Sequence, residues 1–326
     1  MNRILVIQPL HPEALRLFRE RPDVTFEVIT DTSPGSLVNH IADADGVTIR
    51  DAPLPERVLR AAPHLRVISR HGVGVDNIPI EYCTSRRLPV VIVGGVNTIA
   101  VAEHTMFLML AAARSGTQLD HAVRTGDFSA RSRITGVELR GRVLLLVGFG
   151  RIGQEVAARA AAFGMRILVF DPYLEPNKWP HVQFVATLAQ GLSVASVLSL
   201  HLPRTAATHN LIGRRELALL PRGAIVINTA RGGVLDEAAL LQALRSGHLR
   251  AAGLDTFDEE PLSPGHPLLA EKNVILTPHA AALTEETLLA MGMVTARNAL
   301  DGLDGKLDPA LVVNPSVLEE PYNAPQ

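Results

Sequence analysis

One cysteine, Cys83, serves 326 residues, so no intrachain disulfide can form and packing alone must hold the fold. A reducing compartment suits such a chain, and Cys83 reads as a small buried hydrophobe rather than a catalytic thiol. Aromatic residues are scarce, at 4%. None interleaves with the clustered Arg131, Arg133, Arg140 and Arg142, so this stretch lacks the rings on which bases would stack and reads as a solvated loop. Neither sign of charge prevails: 31 basic and 33 acidic residues leave a net −2, which excludes a general pull toward nucleic acid or an anionic membrane. Long hydrophobic runs are missing too. The longest, near Met106 to Ala113, begins beside Glu103 and His104 and is too short for a bilayer. Met1-Asn2-Arg3 leads straight into Ile4-Leu5-Val6-Ile7 and then Pro9, His11 and Pro12, without the apolar stretch of a secretory signal. A soluble cytoplasmic protein is the expectation.

What the chain does have is apolar content of 47%, enough for sizeable cores, and a length that suggests two domains. Short β-rich runs alternate with helical patterns. The first half predicts strands at Ile4–Ile7, Val24–Ile29, Gly46–Ile49, Leu65–Ser69 and Val90–Val93, with helices such as Pro12–Glu20 and Pro55–Ala62. A long helix follows over about 100–114, then a connection over Gly116–Arg142. The alternation restarts with strands at Val143–Val147, Arg166–Phe170, Val182–Val185, Val197–His201, Ala224–Asn228, Ala251–Asp255 and Val274–Leu276. Helices fall at Ile152–Phe163, Arg214–Leu220 and Glu237–Ser246, with a last long one over about 284–300. The strands are apolar without strict alternation, so both faces of each sheet are covered, as in parallel α/β sheets. Two doubly wound units result, the second filling about 97–288. The stretch after it is too short to fold alone, and periodicity does not say which unit it joins. The polar, proline-rich end, Glu319 to Gln326, reads as a frayed tail.

Gly148-Phe149-Gly150-Arg151-Ile152-Gly153 matches G-x-G-x-x-G. Bare, that pattern is weak; here a strand ends just before Gly148 and a helix opens at Ile152. Gly148 permits the tight turn, Gly150 lets backbone approach a pyrophosphate, and Gly153 lets helix and strand pack closely. Asp171 closes the next strand, 18 residues after Gly153. A carboxylate there accepts hydrogen bonds from an adenosine ribose and repels a 2′-phosphate, which favours NAD over NADP.

Three further residues follow strands of the second unit: Arg231 after Ile225–Ala230, Glu260 five residues after Asp255, and His279 after Val274–Pro278. The carboxyl ends of parallel strands form the ligand crevice of such sheets. Singly, each has a blander role, as a surface ion pair, a solvated acid or a structural imidazole. Together behind a dinucleotide turn they suit reduction of a keto acid. Arginine holds a carboxylate through a forked pair of hydrogen bonds. Histidine supplies a proton near neutral pH, and a carboxylate beside it stabilises imidazolium and orients the ring.

At these residues the chain resembles the D-isomer-specific 2-hydroxyacid dehydrogenases, the group that includes phosphoglycerate, glycerate and formate dehydrogenases. The resemblance covers about residues 40–315. It rests on Ser69–Asn77 (SRHGVGVDN), Val101-Ala-Glu-His104, the glycine turn, His201-Leu-Pro203, Asn228–Asp236 (NTARGGVLD), Gly253–Pro261 (GLDTFDEEP) and Thr277-Pro-His279. It implies an α/β fold of two doubly wound parallel-sheet domains. One is a Rossmann NAD-binding domain over 97–288. The other is a flavodoxin-like substrate domain, discontinuous, over 1–96 and 289–326. It also implies long helices crossing between domains, an active site in the interdomain cleft, and usually a homodimer. By motif position, Arg231, Glu260 and His279 take the catalytic places. Gly148, Gly150, Arg151, Ile152, Gly153, Asp171, Leu202, Thr229 and Asp255 take cofactor places, Asp255 as an acid near the nicotinamide. Gly72-Val73-Gly74 takes the place where backbone amides, those of Val73 and Gly74 among them, hold the substrate carboxylate. Arg50 and Arg70 stand where phosphoglycerate dehydrogenases place phosphate-facing arginines; surface ion pairing is their other reading.

The chain also departs from the family pattern. Ala280-Ala281-Ala282 follows His279 where many members have glycines, and the sequence ends soon after Val312-Val313-Asn314-Pro315, so feedback through a C-terminal regulatory domain is not expected. The family's formate dehydrogenases place Gln where this chain has Glu260, which argues against formate oxidation. A dinucleotide-sensing corepressor of the same fold is the alternative outside enzymes. The expected activity is interconversion of a small 2-keto acid and its D-2-hydroxy acid with NAD. Which acid, among phosphohydroxypyruvate, hydroxypyruvate, glyoxylate, pyruvate and sulfopyruvate, stays open. No metal is expected.

Overall fold

The computed structural model describes residues 1–179 and 182–318; the reading of Glu319–Gln326 as a frayed tail lies outside them. The chain divides into two units, Met1–Asn97 with Leu283–Gln326, and Thr98–Ala282. In the first unit the order is β1 (Asn2–Ile7), α1 (Pro12–Arg19), β2 (Val24–Ile29), α2 (Pro34–Ile41), β3 (Gly46–Ile49), α3 (Glu56–Arg60), β4 (Val67–Arg70), α4 (Ile80–Ser85) and β5 (Val90–Val91). These strands form one parallel sheet ordered β2-β1-β3-β4-β5, the flavodoxin-like winding. Successive residues of β1 serve opposite faces: Leu5 and Ile7 join one apolar core and Ile4 and Val6 the other. That two-sided burial is why the strand sequences are continuously apolar.

The second unit opens with α5 (Thr98–Arg114) and α6 (Gly116–Arg124). It continues through β6 (Val143–Val147), α7 (Arg151–Ala162), β7 (Arg166–Phe170), β8 (Gln183–Phe184), α8 (Leu188–Leu192), β9 (Val197–Leu200), α9 (Arg214–Leu219), β10 (Ala224–Asn228), α10 (Glu237–Arg245), β11 (Leu249–Leu254) and β12 (Val274–Leu276). Its seven strands are all parallel, in the order β12-β11-β10-β9-β6-β7-β8. The order reverses between β6 and β9, the switch point where such sheets take ligands. Again the strands feed two cores, Leu145 and Val147 on one face, Leu144 and Leu146 on the other.

The last helix, α11 (Glu285–Asp304), belongs to the first unit. Its buried Ala296, Ala299 and Leu303 share a core with Ile4, Val6 and Val67, and Ser69 Oγ donates to the Thr295 carbonyl at 2.8 Å. Beyond it, Asn314 is locked in place: its side chain accepts from Val90 N at 3.0 Å and donates to the Leu88 carbonyl at 3.0 Å.

Several helices depart from the sequence expectation. The connection expected over 116–142 holds α6 and a short 3-10 turn at Phe128–Ser132, and α8 occupies a stretch where no helix is expected. Arg131, Arg133 and Arg140 are exposed, as the solvated reading requires. Among the described residues no helix is long and apolar enough to cross a membrane.

Candidate active site

In the second unit, three adjacent strands deliver the three expected catalytic residues. At the end of β10, Asn228 turns the chain: its Oδ1 accepts from Ala230 N at 3.0 Å and its Nδ2 donates to the Arg231 carbonyl at 2.9 Å. The next residue, Gly232, is pressed against the segment after β11. A Cβ there would lie 1.7 Å from the Phe257 carbonyl oxygen, so only glycine lets the Arg231 loop and the Glu260 loop meet. Asp258 ties the same two loops, its Oδ1 accepting from Gly233 N at 2.6 Å. Glu260 folds back on its own loop, Oε1 accepting from Phe257 N at 2.9 Å.

The other oxygen of Glu260 faces His279. Glu260 Oε2 lies 2.7 Å from His279 Nδ1, which leaves Nε2 as the nitrogen that can address a substrate. His279 is 47% exposed at its side chain. The bond to Glu260 raises its pKa against the opposing effects of partial burial and the nearby Arg231 charge, so a proton is held closer to neutral pH. Its backbone is left-handed, φ 51°, a conformation that costs a non-glycine residue about 1–2 kcal/mol. Asp255 holds it there. The Asp255 carbonyl accepts from His279 N at 2.9 Å, and its carboxylate accepts from Ala280 N at 2.8 Å and Ala281 N at 2.9 Å. Asp255 is wholly buried. Burial alone would raise its pKa, but hydrogen bonds from His104, Thr277 and the two amides outweigh it and lower it.

Sequence reasoning assigns no role to His104 or Thr277. Thr277 Oγ1 lies 2.6 Å from Asp255 Oδ1 and 2.9 Å from His104 Nε2. Both residues sit in quoted motifs, but no spacing rule joins positions 173 apart.

The glycine turn has the stereochemistry a dinucleotide needs. Gly148 has φ 89°, and a Cβ on it would stand 2.3 Å from the His201 carbonyl oxygen; one on Gly153 would meet the Gly148 carbonyl oxygen at 2.6 Å. Around Gly150 there is open space, and it caps α7 with no side-chain cap, so the first N–H groups of that helix are left to an anion. Asp171 follows β7 and braces the turn, Oδ2 accepting from Phe149 N at 2.9 Å and Oδ1 from Tyr173 N at 3.0 Å. Arg151 is exposed at the start of α7, while Ile152 and Leu202 are half-buried. Thr229 is buried with its hydroxyl 2.8 Å from that of Thr105. Open space at Gly150 with close approach at Gly148 and Gly153 fits a pyrophosphate.

In the first unit the expected substrate residues also cluster. Arg70 ends β4 opposite Ile49, the last residue of β3, and Arg50 follows Ile49 directly. Arg50 Nη1 donates to the Pro9 carbonyl at 3.3 Å, and Arg70 pairs with Asp51 at 3.4 Å and with the His71 carbonyl. His71, the residue after Arg70, is buried, and desolvation with the two guanidinium charges pushes its imidazole down to about 4. Gly72, with φ 150°, leaves no room for a Cβ beside the Arg70 guanidinium, and Val73 after it is 39% exposed. No group of three or more metal-ligating side chains occurs among the described residues.

Known proteins resemble this chain over most of its length. Residues 106–281 match the model described as "D-isomer specific 2-hydroxyacid dehydrogenase, NAD binding domain". A D-3-phosphoglycerate dehydrogenase of Methanocaldococcus jannaschii is 42% identical over 98% of this chain and 61% of its own length. A glyoxylate reductase of Aeropyrum pernix is 41% identical over 95% of each chain. The chain thus spans about three fifths of the curated phosphoglycerate dehydrogenases it matches first, 61% and 58%. The crystal structure of TT0316 protein from Thermus thermophilus superposes with TM-score 0.88, at 38% identity, covering 95% of this chain and 99% of that one. With a matching NAD-binding domain and full-length relatives at this identity, the chain belongs to the D-isomer-specific 2-hydroxyacid dehydrogenase family, and its cofactor is NAD.

Proposed function

We propose that the chain interconverts a small 2-keto acid and its D-2-hydroxy acid with NAD. The observation that carries the reading is the 2.7 Å bond between His279 Nδ1 and Glu260 Oε2, in the loops after β12 and β11, with β11 neighbouring the strand β10 that delivers Arg231. Gly148, Gly150, Gly153 and the α7 N-terminus hold the dinucleotide phosphates, Asp171 the adenosine ribose, and Arg151, Ile152, Leu202 and Thr229 line the path between; Asp255 serves the nicotinamide end. Bound there, the reduced nicotinamide supplies the hydride for the keto carbon. Arg231 grips the substrate carboxylate and polarises its carbonyl. His279, kept protonated by Glu260, gives its Nε2 proton to the carbonyl oxygen and takes it back in the reverse direction.

Substitution of His279 by Ala tests this: turnover should fall by roughly 10²–10⁴-fold while NADH still binds. Near-normal turnover in that variant would end the assignment. The reading gives Val73 and Gly74 to the substrate carboxylate and Arg50 and Arg70 to a second anionic group. The placement of Arg70 at the end of β4 opposite Ile49, with Arg50 the next residue after Ile49, supports this assignment. Rates on phosphohydroxypyruvate and sulfopyruvate against glyoxylate, hydroxypyruvate and pyruvate identify the class, dianionic acids being preferred if the arginines act so.

A homodimer is part of the same proposal. Phe107, Val123 and Phe128, on adjoining α5, α6 and the following turn, are exposed by 51%, 63% and 68%, the kind of apolar surface that association covers. A cytoplasmic setting suits the single buried thiol of Cys83, which burial pushes up to about 11. The corepressor alternative is not favoured, since the relatives compared are named as dehydrogenases and reductases.

A further inference from the structure

We propose that His104, on α5, is a positioning residue for the acid–base group: through the Thr277 hydroxyl and the Asp255 carboxylate it fixes the loop that carries His279. The inference rests on the reading of His279 as that group. Thr277 has one hydroxyl hydrogen, and its closest acceptor is Asp255 Oδ1 at 2.6 Å. A charged acceptor at that distance takes the hydrogen. His104 Nε2, 2.9 Å from Thr277 Oγ1, must then donate to the hydroxyl, and it lies 3.5 Å from Asp255 Oδ1 as well. This fixes His104 with a hydrogen on Nε2. The ring is 18% exposed and packs on Phe107, centroids 5.5 Å apart. A chain of donors therefore runs from α5 to the buried carboxylate, and that carboxylate holds Ala280 and Ala281 while its own backbone carbonyl holds His279. The left-handed backbone at His279 relaxes unless such bonds oppose it. Nothing in the chain of bonds touches the glycine turn or Asp171.

The test compares kcat, KM and NADH affinity of the full protein carrying His104→Leu, His104→Gln, Thr277→Val or the Leu/Val pair together, with His279→Ala as reference. His104→Leu and Thr277→Val should each lower kcat by about tenfold or more, with KM and NADH affinity within about twofold of wild type. Gln at 104 presents an amide hydrogen to Thr277 and should recover most of the loss. The double variant should be no slower than the slower single, because both remove one linkage. Wild-type kcat in His104→Leu, no recovery by Gln, or losses that multiply would each overturn the proposal. If His104→Leu does not fold, wild-type kcat in Thr277→Val overturns it equally. Full activity in His279→Ala would sink the acid–base reading and this inference with it; an inactive His279→Ala beside a fully active His104→Leu overturns the positioning role alone.

Discussion

Glu260 reaches His279 from a loop that its own bond to Phe257 N and the close approach of Gly232 to the Phe257 carbonyl both anchor at Phe257. The hydrogen bond from His279 to this carboxylate, with its negative charge, raises the His279 pKa. In the direction of keto-acid reduction the protonated ring is the active form, so rate falls as pH rises through that pKa. Glu260→Gln keeps the shape and removes the charge, so His279 loses its proton at lower pH. The alkaline limb of kcat/KM for reduction should therefore shift toward acid, measured with NADH and glyoxylate; an unmoved limb would separate Glu260 from the proton chemistry. The residue types at 231, 260 and 279 were legible in the sequence because each follows a strand. The crevice they share was expected as well; that Glu260 meets Nδ1 of His279 was not, because it depends on β11 and β12 lying side by side.

At the level of elements, the β6–α7 turn separates two demands on glycine. Gly148 and Gly153 are needed by the protein itself: a methyl on either would strike backbone. Gly150 is different, with φ −69° and open space around it. Gly150→Ala should fold with nearly unchanged Tm yet lose NADH affinity, since the methyl occupies the approach a pyrophosphate needs. Gly148→Ala should lose both, with stability down by about 1–3 kcal/mol. Thermal melts with NADH titration of the two variants check this; equal Tm losses would refute the distinction. That Gly148 must also clear the His201 carbonyl comes from β9 lying beside β6; the turn itself was readable from six residues because its strand and helix adjoin it in the chain. The helix α6 was not: Ser115 before it is left-handed and Gly116 opens it, which by local propensity reads as a break.

Over the whole molecule, two imidazoles, His71 buried and His201 half-buried, make folding sensitive to acid. Burial pushes His201 down to about 3, and burial with Arg50 and Arg70 pushes His71 down to about 4. Both stay neutral in the fold, whereas an unfolded histidine takes a proton below about 6.5. Between those values the unfolded chain binds more protons, so stability rises with pH and is lost as pH falls from about 6.5 toward about 4. Each histidine contributes a slope of up to about 1.4 kcal/mol per pH unit. Urea unfolding at about pH 5 and pH 7, which bracket the unfolded value, should show the loss, and His201→Gln should make it shallower. An identical pH dependence in that variant would assign the acid sensitivity elsewhere.

By itself the sequence determined the strands, their two-sided burial, the glycine turn and the family motifs, since each is written in residues that are neighbours in the chain. Periodicity left open which unit the end of the chain joins, and only the family resemblance assigned it; tertiary structure alone decided how α11 packs there, its small residues Ala296 and Ala299 in one core with Ile4, Val6 and Val67. It alone decided, too, that His104 meets Thr277 across 173 positions. Those contacts come from strand order and helix docking. The free energy behind them is shared among many distant side chains, so no short stretch of sequence carries it.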